Sequence, residues 1–526
     1  MTQIGKPPGD DSLIRHGNEA PAAPPSSRRW VLAAAILGSS MAFIDSTVVN
    51  VALPAIQTSL HATAFDTQWV VESYALFLAA LLLVGGSLGD HFGRRRIFAL
   101  GVGLFAAASA ACAMAGSVQL LIVARAVQGV GAAMLVPGSL ALISAAYPAN
   151  ERGAAIGTWS GFSGITAAIG PVLGGFLVDR FSWTWAFLIN LPMAAGVLWI
   201  VWRHVPESRG GKDSAGPLDL PGAALATLGL GGIVYAFVEA PTRSWQAPVV
   251  LAALAIGVVA SCAFVVVELK VRSPMLPLTL LRIGNFAGAN LLTLLLYAAL
   301  GGGLYFLPLN LIQVQGWSAT AAGAALLPFI GIMFALSGWA GGLVDRFGPR
   351  LPLVIGPAIA AVGFGLFMRP GIGAGYWSGF FPAVTVLGFG MTVTIAPLTT
   401  TVMNSVGPER AGIASGVNNA VSRAASVLAI AVLGVIMAQA FDAGLAEGLR
   451  ASGAPAEAVR FLQGRRSQLG GIELPPGLDA SGAQALRQVV DAAFVSGFRR
   501  VMACCAGLAL LSAVSAWLMI RPARGK

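Results

Sequence analysis

Charge is what this chain has least of. Lys, Arg, Asp and Glu together make up 10% of its 526 residues, against about 25% in soluble domains. So little charge excludes the roughly three or four soluble domains that the length alone suggests. Cysteine is also scarce. Cys112, Cys262, Cys504 and Cys505 all fall in apolar runs, with neither metal-ligand spacing nor a disulfide framework, and they read as small interior residues. The four histidines, at 16, 61, 91 and 204, are scattered. No Gly-Lys-Ser/Thr phosphate loop occurs, and no His/Cys cluster. These absences argue against an enzyme, so none is expected, nor is any cofactor. A secretory leader is not expected either. Residues 1–29 are polar and Pro-rich, without a short apolar stretch and cleavage site, and are expected to form a disordered cytosolic tail.

What is present is apolar sequence: 56% of the residues are hydrophobic and 66 are glycine. Small residues let membrane helices approach closely. A spanning helix needs about 20 apolar residues, and fourteen runs qualify. Six lie at 31–51, 68–88, 97–116, 118–143, 154–178 and 185–202. Two follow a polar break, at 220–238 and 249–269. Six more lie at 286–309, 319–344, 351–368, 377–403, 412–439 and 501–520. The chain reads as an all-α polytopic membrane protein, in contact with the lipid bilayer.

Lys and Arg in the loops set the orientation. With the N-terminus in the cytosol, twenty fall on the cytosolic side, and only Arg180, Arg243 and Arg369 fall in short outer loops. An even helix count with both termini inside follows, in a bacterial-type inner membrane. The net charge of +10 is then a topology signal, and no nucleic-acid partner is expected.

The chain repeats itself. The run from Gly86 to Arg95, with Asp90, Gly93 and Arg94, matches the run from Gly341 to Arg350, with Asp345, Arg346 and Gly348, at an offset of 255 residues. Glu151-Arg152 resembles Glu409-Arg410 at an offset of 258. Near-equal offsets imply duplicated six-helix halves, a transporter plan with its substrate site between them. The expected organisation is a tail at 1–29, a first bundle at 30–203, a linker with two inserted helices at 204–270, a second bundle at 271–520 and a tail at 521–526. The stretch 441–497 is expected to be a long outer loop, a solvated connector in preference to a lid.

Three charges, Asp45, Glu72 and Arg125, interrupt the apolar runs of the first bundle. A carboxylate in hydrocarbon costs roughly 2.5–3.5 kcal/mol on insertion scales, and intramembrane charge is functional by default. At about 1.5 Å of rise per residue, all three reach the outer part of the first bundle. A nearby guanidinium favours ionised carboxylates, whereas lost hydration disfavours them. Moving a proton or a cationic solute would change which effect prevails. Asp45 or Glu72 is therefore expected to carry a proton, with Arg125 tuning it.

Five elements together resemble the major facilitator superfamily, and within it the fourteen-helix drug:proton antiporters. They are Asp45-Ser-Thr-Val-Val-Asn50-Val-Ala-Leu-Pro54, the Gly86–Arg95 run, Arg125-Ala-Val-Gln128-Gly129, Gly170-Pro171-Val-Leu-Gly174-Gly175 followed by Trp183 to Pro192, and Ala414-Ser-Gly416-Val-Asn418-Asn419. The resemblance covers most of residues 30–520. It implies two six-helix bundles plus two inserted helices. It also implies that Asp90, Gly93 and Arg94 latch the cytosolic side near Arg410, with Asp345 opposite Glu151 and Arg152. His91 and Pro349 depart from the family pattern, and Pro349, in the second copy, makes that copy the poorer latch. Gly170-Pro171 is expected to break its helix from inside, with the antiport-associated Gly174 and Gly175 alongside. Asn50, Gln128, Asn418, Asn419 and Arg423 are candidates for polar cavity positions, with no counterion evident for Arg423.

The function expected is proton-coupled export of amphipathic small molecules, cationic ones included, driven by the proton gradient, and a monomer is the default expectation. The alternative is a dedicated exporter of one endogenous metabolite or lipid.

Overall fold

A computed structural model describes residues 24–209, 219–271, 274, 276, 278–406, 411–476 and 478–521. Their regular structure is helical throughout. The first bundle comprises α1 (Pro25–Ser59), α2 (Ala64–Phe92), α3 (Arg94–Ala113), α4 (Val118–Ala146), α5 (Ala149–Arg180), the short α6 (Trp185–Leu188) and α7 (Asn190–His204). The inserted pair is α8 (Leu220–Arg243) and α9 (Pro248–Lys270). The second bundle holds α10 (Gly284–Leu309), α11 (Ala319–Ala324), α12 (Leu327–Gly341), α13 (Leu343–Phe347), α14 (Arg350–Leu366), α15 (Phe381–Asn404), α16 (Ala411–Ala451), α17 (Ala456–Gly464) and α18 (Ala480–Met519).

All fourteen expected runs coincide with helix. Among the described residues, eleven helices are long and apolar enough to cross a membrane, and the bent pair Ala64–Leu82 and Val84–Phe92 makes a twelfth. The remaining two are α14, 17 residues long, and α5, whose charges sit near the ends of its 32 residues. The run at 319–344 is not one rod but three consecutive pieces, α11 to α13. Local chemistry sets the starts. Thr63 and Asp66 form a reciprocal capping box at α2. Ser117, Asp219 and Asp479 cap α4, α8 and α18 by accepting backbone N–H groups.

Spans alternating in direction return the chain to the side it started from. The face where α1 begins and α18 ends is here called proximal, and the other distal. The Arg521 N–H donates to Asn285 Oδ1 at 2.9 Å at the proximal face. The inserted helices pack on each other, and α8 leans on both α2 and α16 through Val234, Val238, Phe65, Val427 and Ala431.

The expected break at Gly170-Pro171 does not occur, since α5 runs through Pro171 as one helix. Its glycines serve close approach instead. A Cβ on Gly170 would lie 2.0 Å from Thr47 Oγ1, and one on Gly175 would lie 2.4 Å from the Ala319 carbonyl oxygen in the second bundle. Lipid supplies no hydrophobic drive between helices, so such contacts carry the packing.

At the distal face the bundles are tied together. Asp179, at the end of α5, accepts from the Ala319 N–H at 3.1 Å, the Thr320 N–H at 2.8 Å and the Thr320 hydroxyl at 2.5 Å. A carboxylate of one bundle thus caps the first turn of α11 in the other. Burial works to raise the Asp179 carboxyl, but the hydrogen bonds from Thr320 and Ala319 outweigh it and hold it below the usual carboxylate range. The cap therefore persists wherever Asp179 is ionised and is lost only as pH falls through that lowered value.

The stretch 441–497 is no solvated connector. α16 continues to Ala451 and α18 begins at Ala480, so most of it is helix. Between them, α17 and a 3-10 turn at Arg466–Gly471 fold inward, burying Leu462, Leu469 and Ile472. Gln57, near the end of α1, donates to the Gln468 carbonyl at 3.0 Å and accepts from Gln313 Nε2 at 2.7 Å. Arg487 donates to the carbonyls of Gln313, Gly470 at 3.0 Å and Ile472 at 3.4 Å, and pairs with Asp491 at 3.0 Å. Apolar burial and carbonyl-directed hydrogen bonds make this segment a strap across the distal ends of both bundles.

The strap gives a direct test. Hydrogen bonds from a charged donor are worth about 1.5–3 kcal/mol each. Arg487→Ala should speed tryptic cleavage after Arg465 and Arg466 by about tenfold or more, with helix content unchanged. An unchanged cleavage rate would mean that Arg487 does not hold the strap.

Candidate functional site

The first bundle is built around one ion pair. Asp45 of α1 is fully buried, and Arg125 of α4 is 1% exposed. Arg125 Nη1 donates to Asp45 Oδ2 at 2.5 Å. The other carboxylate oxygen accepts from Gln128 Nε2 at 2.8 Å and Asn190 Nδ2 at 3.2 Å. Arg125 also donates to Gln128 Oε1 at 2.8 Å and, through Nε, to the Val70 carbonyl at 3.0 Å. Its guanidinium lies 4.2 Å from the centroid of the Tyr74 ring, within cation–π range. Ser109 of α3 completes the set, accepting from Asn190 at 3.0 Å and Gln128 at 3.3 Å while donating to the Phe187 carbonyl at 2.9 Å.

Helical spacing explains the convergence. Arg125 and Gln128 stand at i, i+3 on one face of α4. Asn190 opens α7 after the short α6, where the interruption turns its amide inward. Asn190, Ser109 and Tyr74 were not foreseen from the sequence. Asn190 lies within a quoted motif, but Ser109 gives no signal beyond a hydroxyl in an apolar run.

Glu72 lies apart from this network. It is fully buried, and neither carboxylate oxygen has a hydrogen-bond partner among the described residues. Gln68, one turn earlier on the same face, is a polar neighbour, but its amide is committed to the Ile430 carbonyl of α16 at 3.0 Å. Thr67 and Glu72 both lie within reach of Tyr305 on α10. Glu72 therefore faces the seam between the bundles, and the structure does not join it to Arg125 as the sequence reading supposed. The reason is local. Arg125 engages the carbonyl of Val70, and a helical residue two positions on points to roughly the opposite side.

The remaining candidates are dispersed. Gln128 is buried inside the first bundle and is not a cavity residue. Asn418 donates to Thr293 at 2.6 Å and Asn290 at 3.2 Å within the second bundle. Asn419 is exposed, and Asn50 donates to its own helix at Ser46, 3.3 Å away. Arg423 makes no ion pair among the described residues, and its Nε is buried without a partner. At the proximal face Asp90 pairs with Arg94 of its own bundle at 2.7 Å, not with the second bundle. Gly93, at φ 110°, lets the chain turn there against Glu207. Glu151 pairs with Arg28 at 2.9 Å, and Arg346 is exposed. The side chains of Arg152 and Asp345, and residues Glu409 and Arg410, lie outside the described residues. Among the larger apolar side chains of the second bundle, Tyr305, Phe306 and Met391 are buried, whereas Met403 is exposed.

Comparison with known proteins agrees with this architecture. A family profile described as Major Facilitator Superfamily matches residues 35–430. The chain is 36% identical over 409 residues to the multidrug resistance protein Stp of Mycobacterium tuberculosis (strain CDC 1551 / Oshkosh), covering 76% of this chain and 74% of the relative. It is 32% identical over 503 residues to the tetracenomycin C resistance and export protein of Streptomyces glaucescens, covering 94% and 92%. Among solved structures, a bacterial homologue of the human lysosomal transporter Spinster, inward-facing and occupied, aligns with a TM-score of 0.67 at 18% identity, covering 95% of this chain and 97% of that one. That last likeness speaks to the fold alone.

The buried pair makes a stability prediction. Removing one partner of a buried ion pair costs about 3–5 kcal/mol, because the other charge stays behind uncompensated. Arg125→Gln should lower the thermal midpoint in detergent sharply. Adding Asp45→Asn should restore part of the loss. A double variant no more stable than Arg125→Gln would show that the two charges are not energetically coupled.

Proposed function

The chain belongs to the Major Facilitator Superfamily, and on that premise we propose that it exports amphipathic small molecules in exchange for protons. It is a multi-pass membrane transporter related to antibiotic-export proteins, and not an enzyme. The observation that carries the proton half is Glu72, a fully buried carboxylate whose oxygens have no hydrogen-bond partner among the described residues, facing the seam between the bundles. An isolated buried carboxylate sheds its charge unless water or a cation reaches it. Opening and closing the seam changes that access, so Glu72 takes up and releases a proton as the transporter cycles. Asp45 has both oxygens committed to Arg125, Gln128 and Asn190. Its role is to neutralise Arg125 and hold the bundle rigid.

The excess of Lys and Arg at the proximal face supports a cytosolic position for that face and for both termini, in a bacterial-type inner membrane. The distal ties at Asp179 and Gln57 then close the outer side, leaving substrate to enter from the cytosol. Asp90 and Arg94, paired with each other here, are free to engage the second bundle in the opposite state. Protons moving inward supply about 2.3 kcal/mol per charge per 100 mV. The relative named for tetracenomycin C supports a second reading, a dedicated exporter of one compound through the same machinery.

Proteoliposomes with an imposed pH gradient, an internal pH dye and ethidium as substrate test the proposal. Wild type should show ethidium-dependent proton flux, and Glu72→Gln should lose it while remaining folded. Full flux in Glu72→Gln, with loss in Asp45→Asn, would transfer the proton to Asp45. Wild-type flux with one compound alone across a panel of amphiphiles would favour the dedicated exporter.

A further inference from the structure

Arg423 is the one guanidinium within the membrane-spanning helices that the site above leaves unassigned. At about 1.5 Å of rise per residue, it lies roughly 18 Å along α16 from Ala411, near the middle of a hydrocarbon layer about 30 Å thick. It makes no ion pair among the described residues, and its Nε is buried without a hydrogen-bond partner. The other intramembrane guanidinium, Arg125, is fully matched by Asp45 and Gln128. Arg423 is therefore a standing positive charge with an unfilled donor.

Its position is fixed by the packing of α16 on α2. Ile430 and Gly434 meet Gln68, and Val427 and Ala431 pack with Phe65. Arg423 stands at i−4 from Val427 and i−7 from Ile430, on that same stripe. The two helices run antiparallel, so moving toward the proximal face means counting up α2 and down α16. Glu72 lies about 6 Å proximal of Gln68, and Arg423 about 10 Å proximal of Ile430. A carboxylate and a guanidinium without partners among the described residues thus flank one seam from opposite bundles, about 4 to 10 Å apart in depth, depending on whether Ile430 or Gly434 is set level with Gln68. They form no ion pair with each other among the described residues. Two phenols lie within electrostatic reach of Arg423, Tyr297 from its own bundle and Tyr74 from the other.

We propose that Arg423 and Glu72 form a two-pole substrate site for zwitterionic amphiphiles, Arg423 taking the acidic group and ionised Glu72 the cationic one. The proposal rests on the reading of Glu72 as the proton carrier and deepens it. A lone charge at a low-dielectric seam is stabilised by any ligand that brings the opposite charge to it. Arg also holds a carboxylate with two parallel hydrogen bonds. The arrangement keeps exchange obligatory, because a proton and the cationic group of the substrate compete for one carboxylate. A purely anionic ligand would instead bind best with Glu72 protonated, which runs against exchange. A zwitterion satisfies both poles and the direction of coupling.

The test uses tetramethylrhodamine, a zwitterion, and its methyl ester, a cation with the same fluorophore. Equilibrium binding of each to purified full-length protein is read by fluorescence polarisation, for wild type, Arg423→Gln and Arg423→Lys. Arg423→Gln should weaken the acid at least tenfold and the ester less than twofold, and Arg423→Lys should recover part of the acid affinity. Equal weakening of both dyes would make Arg423 structural or coupling machinery and overturn the proposal. An acid affinity unchanged in Arg423→Gln, or no binding of the acid to wild type, would overturn it too. Failure here is distinguishable from failure of the proton reading: ester-driven proton flux lost in Glu72→Gln keeps the exchange mechanism even when Arg423 is indifferent to the carboxylate.

Discussion

The pair of Asp45 and Arg125 is the constraint on which the first bundle depends. Either charge alone would be costly in hydrocarbon. Together, with Gln128 and Asn190 donating to the second carboxylate oxygen and Ser109 accepting from both, they lock α1, α3, α4 and α7 in one arrangement. A buried polar network whose charges are paired in this way specifies geometry. Its reach extends to α2, because Arg125 Nε holds the Val70 carbonyl. With that side of α2 turned toward α4, Gln68 and Glu72 are presented to the second bundle. The rotation of α2, and hence the exposure of an unpaired carboxylate to the seam, is thus set by an ion pair to which Glu72 does not belong.

The ties between the bundles have a different character. Among the described residues the polar ones are concentrated at the distal face: Asp179 on the first turn of α11, Gln57 with Gln313 and Gln468, and Gln68 with Ile430, beside apolar contacts such as Phe65 with Val427 and Ala431. Around them Gly170, Gly174 and Gly175 let α5 touch α1 and α11 without side chains intervening. Each bundle is therefore rigid within itself and joined to the other by interactions that can be exchanged a few at a time. Rocking of one bundle against the other around a fixed central site needs that division of labour. The strap adds a bridge from the last helix pair back to α1, so movement at the distal face involves α18 as well.

Charge within the membrane follows the same logic. Where a charge has a partner, as at Asp45 and Arg125, it builds structure. Where none is found among the described residues, as at Glu72 and Arg423, it lies toward the seam between the bundles, which is why the proposed proton and substrate sites rest on these two side chains. The polar residues of the second bundle interior, Asn290, Thr293 and Asn418, satisfy one another and belong to the first kind.

The sequence by itself marked the fourteen spans, the recurrence of like motifs in the two halves and the unusual charges of Asp45, Glu72 and Arg125. Each of these leaves a one-dimensional trace: apolar length, a fixed offset between like motifs, and charge where charge is expensive. The trace also registered the face on which Lys and Arg accumulate. Only the tertiary structure decided who pairs with whom. Asn190 and Ser109 carry no periodic signal, and they matter because α3 and α7 bring them to Asp45. Glu72 parts from Arg125 because helix rotation, not depth, sets which neighbour a side chain meets. The strap at 452–479 reads as a polar, Gly- and Pro-containing loop, yet Leu462, Leu469 and Ile472 bury against distant helices. Pro171 suggests a break, yet its helix is continuous. Partner choice is a long-range property, fixed by how helices far apart in sequence rotate and pack, and composition along a single helix does not contain it.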